Sequence, residues 1–431
     1  MKKVAAVAML AALMVLATSC GFGRKGPPNV VLIVIDTLRS DHLPFYGYEK
    51  DTAPFLSSLA ADGVVFERTR STSSWTAPAT ASIVTSLHPI QHGVLRGLLA
   101  VRVLRHIDPD ISVDRIPDSV VTIAEAMKEG GYSTWGVADN LNVGYEEGFG
   151  AGFERLRTTN DAGAESVNST VERWSDTIRD ASPYFLYIHY MDPHRPYLKR
   201  SPWYEPAKGE LLDSIAAYDS EISYVDSKIK ELYDRFEWGK NTIVIVTSDH
   251  GEEFLDHGGW DHARTLYDEV LRVPLLFHAP AESLSVGRVE APTSVLDILP
   301  TVRGLAGLPE NPAEQGVSLV AALRGRGELP DRAFFGDLRS PPWFGDQTLK
   351  SVVRGDYKYI LTLPDTEELY DLADDPGEQD SIIDDNRELA DELRAELDAF
   401  EEECTKYAPE SGEVNLDEED VKKLESLGYV K

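Results

Sequence analysis

Five short apolar runs punctuate the first two thirds of the chain, at residues 30–35, 134–138, 184–189, 242–247 and 273–278. Each is rich in Val, Ile, Leu or aromatic residues and is nearly unbroken by polar ones, which is how a strand buried on both faces reads. Between them lie segments with apolar residues at helical spacing, at 53–62, 79–85, 121–129 and 212–235. Strands alternating with helices predict an α/β fold, with a mostly parallel sheet flanked by helices on both sides. The alternation runs over residues 29–310. The stretch 304–329, rich in Gly and Pro, reads as the connection to a smaller C-terminal α+β domain over 311–431. There, residues 350–363 and 367–372 have hairpin character. Residues 381–402 predict an acidic amphipathic helix with Ile382, Ile383, Leu389, Leu393 and Leu397 on its apolar side.

The first twenty residues carry a different pattern. Lys2 and Lys3 precede a short apolar run, Val4 to Leu16, that is too short to stay in a bilayer as a spanning helix. It ends in Leu16-Ala17-Thr18-Ser19-Cys20, small residues before a Cys, which resembles a bacterial lipoprotein cleavage box with Cys20 as the lipidated residue. Ala17 stands where Leu is usual, so a plain secretory signal is the alternative. On the first reading the chain is anchored to a membrane through Cys20 rather than spanning it, with residues 21–28 as a tether. Its place is then the bacterial cell envelope, periplasmic or outer-membrane-facing, and Gly21 after the Cys leans toward the outer membrane. Only Cys404 remains beside Cys20, so no internal disulfide framework is expected.

Composition narrows the partners. Forty-two Lys and Arg against seventy-three Asp and Glu give a net charge of −31 over 431 residues. So acidic a chain excludes nucleic acid as a partner and disfavours loose electrostatic capture of polyanions.

Candidate chemistry sits where apolar runs end, since ligands of such sheets bind beyond the carboxyl ends of the strands. Asp36 ends the first run; by itself it reads equally as a turn or N-cap residue. Asp249-His250-Gly251 ends another, and a carboxylate with an imidazole suits Zn or Mn better than Ca or Mg. Thr76, in Trp75-Thr76-Ala77-Pro78, precedes a predicted helix. Its hydroxyl is either a cap or a metal-bound nucleophile of lowered pKa. His194 follows the run ending at 189, and His257 and His262 follow Asp249-His250 closely. These histidines could hold a second metal, contact a substrate anion or protonate a leaving group, or each could be a surface loop residue.

The ordered set of motifs resembles the sulfatase family of the alkaline phosphatase superfamily. The matching residues run from Asn29-Val30-Val31-Leu32 to Asp36, then the Pro78 segment, and Thr85-Ser86-Leu87-His88-Pro89 through Gly93-Val94. They continue with Asp192-Pro193-His194, Ser248-Asp249-His250-Gly251-Glu252, Arg272-Val273-Pro274 and, near the C-terminus, Glu368-Leu369-Tyr370-Asp371-Leu372. The resemblance implies an alkaline-phosphatase-like sheet, and a divalent metal on Asp36, Asp249 and His250, with Thr76 at the nucleophile position. It also implies that His194, His257 and His262 handle the substrate anion and leaving group, and that Asn140 lines the pocket. Departures are as telling. Formylglycine-dependent sulfatases carry Cys or Ser, then Pro and Arg, where this chain has Thr76, Pro78 and Thr80. Thr cannot become formylglycine, so none is expected. Thr37 replaces the usual second Asp, and His250 replaces a common Asn ligand.

These residues predict a metal-dependent hydrolase of a sulfate or phosphate ester, with metal-bound Thr76 as nucleophile and a small-molecule, glycan or lipid ester as substrate. Two alternatives are an envelope phospho-group transferase and a non-catalytic lipoprotein that binds an anion or glycan.

Overall fold

The computed structural model describes residues 26–97, 113–280, 284–341, 344–345, 347–409 and 412–414. The predicted signal segment and Cys20 lie outside the described residues.

A nine-stranded sheet forms the centre, ordered Gly287–Val289, Val64–Arg70, Arg272–His278, Thr242–Thr247, Asn29–Ile35, Tyr184–Tyr190, Ser133–Ala138, Arg155–Thr158, with Thr293–Ser294 also on Val64–Arg70. All five predicted strands are present. Only Arg272–His278 runs against the rest, pairing antiparallel with both neighbours. The sequence pattern does not carry strand direction, because a doubly buried strand is apolar whichever way it runs. Val64–Arg70, in the segment 64–70, was not predicted as a strand; its second half, Glu67 to Arg70, is polar.

Alternate side chains of the central strands enter different cores. Val30, Leu32 and Val34, with Phe185, Tyr187, Ile243 and Ile245, pack against Ile123, Met127, Ile298 and Val302 on one face. Val31, Ile33 and Ile35, with Leu186, Ile188, Val244 and Val246, pack on the other face against Leu56, Leu59, Val167, Ile222 and Ile229. That two-sided burial is why these strands lack polar alternation. It also locks their register, because a slip by one residue would exchange the two cores. The register pairs Val34 with His189 on one side and with Thr247 on the other. Asp36, the Tyr190 end and the Ser248 turn therefore leave the sheet together at one edge.

The C-terminal part is a four-stranded antiparallel sheet, Phe334–Arg339, Thr348–Arg354, Tyr357–Thr362 and Thr366–Asp371. The helix Arg387–Tyr407 covers it, placing Ala390, Leu393 and Leu397 on Val352, Tyr359, Leu361 and Leu369. The helix begins after the predicted position, since residues 381–386 form a turn, yet Ile382 and Ile383 still pack on the same core. A buried ionic knot ties this part to the central sheet. Lys358, fully buried, lies 2.9 Å from Asp268 and 2.8 Å from Glu378. Asp268 also takes a two-pronged contact from Arg70, the closer at 2.7 Å. Removing one member leaves charge buried without a partner, a loss of about 3–5 kcal/mol. We expect Lys358→Met to lower unfolding stability by about 3 kcal/mol or more in urea titrations; an unchanged midpoint would mean the knot does not hold the two parts together.

Candidate active site

At the shared strand edge, Asp36, Asp249, His250 and His189 are fully buried, and Thr76 and Asn140 nearly so. Each arrives by a different route. Asp36 ends the central strand, with its N–H donating to the Tyr190 carbonyl at 2.9 Å. The next residue, Thr37, has a left-handed φ of 56° and donates its hydroxyl to the Asp36 carbonyl at 2.7 Å. A β-branched residue adopts that conformation only when its surroundings enforce it. Here Tyr218 donates to the Thr37 carbonyl at 2.7 Å, and the Leu38 N–H donates to Ser248 Oγ at 3.0 Å. Gly251 is required on the other side: a Cβ there would lie 2.0 Å from the Glu269 carbonyl oxygen.

Thr76 opens the helix Thr76–Thr85, one turn earlier than the sequence pattern placed it, and Trp75 is the N-cap. The hydroxyl is therefore not a cap. Thr76 Oγ1 lies 3.3 Å from Asp36 Oδ2 and 3.3 Å from His250 Nε2. Residues 77–85 are buried along their whole length, and the positive end of the helix dipole is directed at the cluster.

The His250 Nδ1–H donates to the Gly251 carbonyl at 2.9 Å, which leaves the Nε2 lone pair facing inward. That lone pair meets Asp36 Oδ1 at 3.6 Å and Asp249 Oδ2 at 3.5 Å. Both carboxylate oxygens are buried without a hydrogen-bond partner. Three inward-facing acceptors this close together fit a cation. Metal bonds of about 2.0–2.1 Å give tetrahedral edges of about 3.3–3.4 Å, close to the separations here. Asp36, Thr76, Asp249 and His250 thus fit a divalent metal.

Asn140 belongs to the same group, but its amide faces the protein. Its Nδ2 donates to Asp36 Oδ2 at 2.9 Å and to Thr76 Oγ1 at 3.4 Å, and its Oδ1 accepts from the Asn142 N–H at 2.9 Å. It positions the carboxylate and the hydroxyl of the pocket that the resemblance expected it to line.

His262 and His194 flank the cluster. The His262 ring lies 4.4 Å from the His250 ring, and the His194 ring 4.9 Å from that of His262. Burial would lower the His262 pKa, yet Glu252 and Asp261 raise it well above the ordinary value. His194 Nδ1 is bonded to the Arg195 carbonyl at 2.6 Å.

His257 does not join them, which corrects its expected role at the substrate. Its Nδ1 meets Glu269 at 2.8 Å, its Nε2 meets the Glu378 carbonyl at 2.9 Å, and its ring stacks on Tyr267 at 3.5 Å. Both nitrogens are occupied in fastening the segment after Asp249 to the C-terminal part.

Two residues escaped the sequence reading. His189 points its Nε2 between Asp36 and Asp249, 3.8 and 3.9 Å from their oxygens, and neither ring nitrogen has a hydrogen bond. The available signal was a lone His near the end of an otherwise apolar strand. Glu252, fully buried, lies 3.1 Å from His262 Nδ1; its signal was the residue following Asp249-His250-Gly251.

A family model described as Sulfatase matches residues 28–308. A second, described as N-sulphoglucosamine sulphohydrolase, C-terminal, matches 256–403. Arylsulfatase A of Homo sapiens is 27% identical over 455 residues, covering 86% of this chain and 86% of that protein. A solved 2-O GAG sulfatase aligns with a TM-score of 0.73 at 20% identity, covering 88% of this chain and 92% of the other. The phosphonate monoester hydrolase of Silicibacter pomeroyi aligns at 0.68 and 19%, covering 86% and 94%. At such identities the two structures show a common fold.

The contrast between Asp249 and His257 is testable. Asp249→Asn should bind less divalent metal by elemental analysis, whereas His257→Gln should bind the wild-type amount. The His257 pKa, raised to about 9 from 6.5, is held up against burial by Glu269. A raised pKa stabilises the fold fully below the unfolded value and loses that contribution as pH climbs through the folded one. The urea midpoint of His257→Gln should therefore fall furthest below wild type at pH 6 and converge with it above about pH 9; a deficit growing with pH would contradict the assignment.

Proposed function

The chain belongs to the sulfatase family of the alkaline phosphatase superfamily, and from that premise we propose that it cleaves a sulfate or phosphate ester by attack of the Thr76 hydroxyl. Membership makes it an ester hydrolase; the nucleophile, the metal and the ester are our reading. The observation that carries it is the position of Thr76 Oγ1, 3.3 Å from both Asp36 Oδ2 and His250 Nε2 at a helix N-terminus. A hydroxyl with only a capping role would turn back to its own helix.

Asp36, Asp249, His250 and Thr76 would hold a divalent cation, Zn or Mn before Ca or Mg from the mixed carboxylate and imidazole donors. Such a cation lowers the pKa of a bound hydroxyl and offsets charge on the group under attack. The protein supplies the remainder. Asn140 aims Asp36 and Thr76, the helix N-terminus favours the anionic group, and His194 and His262 stand beside the cluster to handle the anion and the leaving oxygen.

The residue type decides how the covalent ester is resolved. A formylglycine hydrate can expel sulfate by breaking its own carbon–oxygen bond. A Thr ester has no second oxygen on that carbon, so water must attack sulfur or phosphorus. Attack at phosphorus is the easier step, which favours a phosphate ester despite the family name. We place the protein at the bacterial cell envelope, anchored through Cys20, with a small-molecule, glycan or lipid ester as substrate. Transfer of a phospho-group to an envelope acceptor is the second reading; an added acceptor alcohol would then appear in the product.

Thr76→Ala should reduce kcat/KM on the preferred aryl ester by about 10³-fold or more, with the fold retained. Matched aryl sulfate, phosphate and phosphodiester substrates identify that ester. Wild-type turnover by Thr76→Ala would remove Thr76 as nucleophile, and preference for the sulfate would return the chain to sulfatase chemistry by an unusual route.

A further inference from the structure

We infer that Asp114, held by the C-terminal strand Gly412–Val414, is a positioning residue that sets the Asn140 amide and through it the Asp36 carboxylate and the Thr76 hydroxyl, an inference that rests on reading the Thr76 cluster as the reacting centre. The contacts begin near the C-terminus. Gly412–Val414 pairs antiparallel with Val113–Arg115, and Glu413 stands opposite Asp114. Asp114 is buried, and its Oδ2 accepts from two successive backbone N–H groups, Leu95 at 3.0 Å and Arg96 at 2.7 Å. Its Oδ1 faces the Arg96 guanidinium at 3.6 Å. Charge-assisted bonds from two adjacent amides fix the direction of the backbone as well as its place.

Gly97 carries that constraint to the site. A Cβ on Gly97 would lie 2.2 Å from Asn142 Oδ1 and 2.8 Å from its Cγ, so only bare backbone can meet Asn142 there. The Asn142 N–H in turn donates to Asn140 Oδ1 at 2.9 Å. A side-chain amide has one accepting end and one donating end, so holding Oδ1 on Asn142 sets the direction of Nδ2. Nδ2 then reaches Asp36 Oδ2 at 2.9 Å and Thr76 Oγ1 at 3.4 Å.

Both flanks of this clamp are secured. Val113 and Ile116 are buried, and the Ile116 N–H donates to the Glu147 carbonyl at 2.9 Å. The C-terminal helix grips the stretch just before Leu95, with the Phe400 ring 4.7 Å from that of His88 and stacked on Phe335 at 3.7 Å. The C-terminal part therefore reaches the centre by two routes: the ionic knot braces the segment after Asp249-His250, and the last strand braces Asn140. Releasing Asp114 frees residues 95–97, loosens Asn142 and lets the Asn140 amide turn from Asp36. Small misplacements of a reacting group are costly to the chemical step, and no substrate contact is lost, so the effect falls on kcat rather than KM.

The test uses the full-length mature protein and its preferred aryl ester. Asp114→Ala should lower kcat about tenfold with KM unchanged, and mass spectrometry should show faster amide exchange in the peptide spanning 140–143. Asp114→Asn should restore most of the rate, because its amide oxygen can still accept from Leu95 and Arg96. In an Asn140→Ala background, Asp114→Ala should cost nothing further, whereas a residue with only a structural role would cost the same again. Equal losses in the two backgrounds, or unchanged exchange over 140–143, overturn the positioning role. Wild-type turnover by Thr76→Ala overturns instead the reading of the centre on which the inference rests. If circular dichroism shows Asp114→Ala unfolded, Glu413→Pro, which interrupts the C-terminal strand, takes its place with the same expected losses.

Discussion

Three electron-pair acceptors face one another in the dry interior of this protein: Asp36 Oδ1, Asp249 Oδ2 and the Nε2 of His250, at 3.5 and 3.6 Å. Left to themselves they would repel, and water cannot screen them because all three residues are fully buried. A divalent cation held there, as proposed, would turn that repulsion into attraction. On the proposed reading Thr76 would gain its chemistry from the same centre, as a ligand on its way to being a nucleophile.

The sheet exists, in functional terms, to prevent these groups from relaxing apart. Both faces of the central strands are packed, and their register is pinned to His189 on one side and Thr247 on the other. Turns beyond the strands are pinned as well, by Tyr218 and Ser248 at Thr37 and by the close approach that only Gly251 allows. The C-terminal sheet adds a brace. Its knot of Lys358, Glu378, Asp268 and Arg70, with His257 on Glu269 and Glu378, fastens the segment that follows Asp249-His250. His257, seven residues past His250, is thereby structural.

The architecture was legible because its code is local. Unbroken apolar runs announce doubly buried strands, and polar residues directly after them announce the active edge. Asp36, Asp249, His250 and Thr76, singled out on that basis together with the resemblance, come together in space. Strand direction was not legible, since burial erases the alternation that would have marked the reversed strand Arg272–His278. His189 was hidden because one polar residue inside an apolar run reads as an exception rather than a signal. The parting of His257 from His262 depends on where the Glu269 and Glu378 groups fall in space, which no spacing records. Asn140 was placed at the site by sequence, but its orientation toward Asp36 came only with coordinates.

On the proposed reading Thr76 stands where the resemblance puts a formylglycine, and that residue would move the chemical difficulty from forming the covalent ester to breaking it. That shift is the central claim, and it concerns a transient bond on a named atom. Rapid chemical quench during turnover of the preferred aryl ester, followed by mass spectrometry of the peptide containing Thr76, tests it most directly. The account predicts a phosphoryl or sulfuryl adduct on Thr76 that forms and decays at rates compatible with turnover. Steady turnover with the adduct on another residue, or with Thr76 unmodified at every time point, would contradict it.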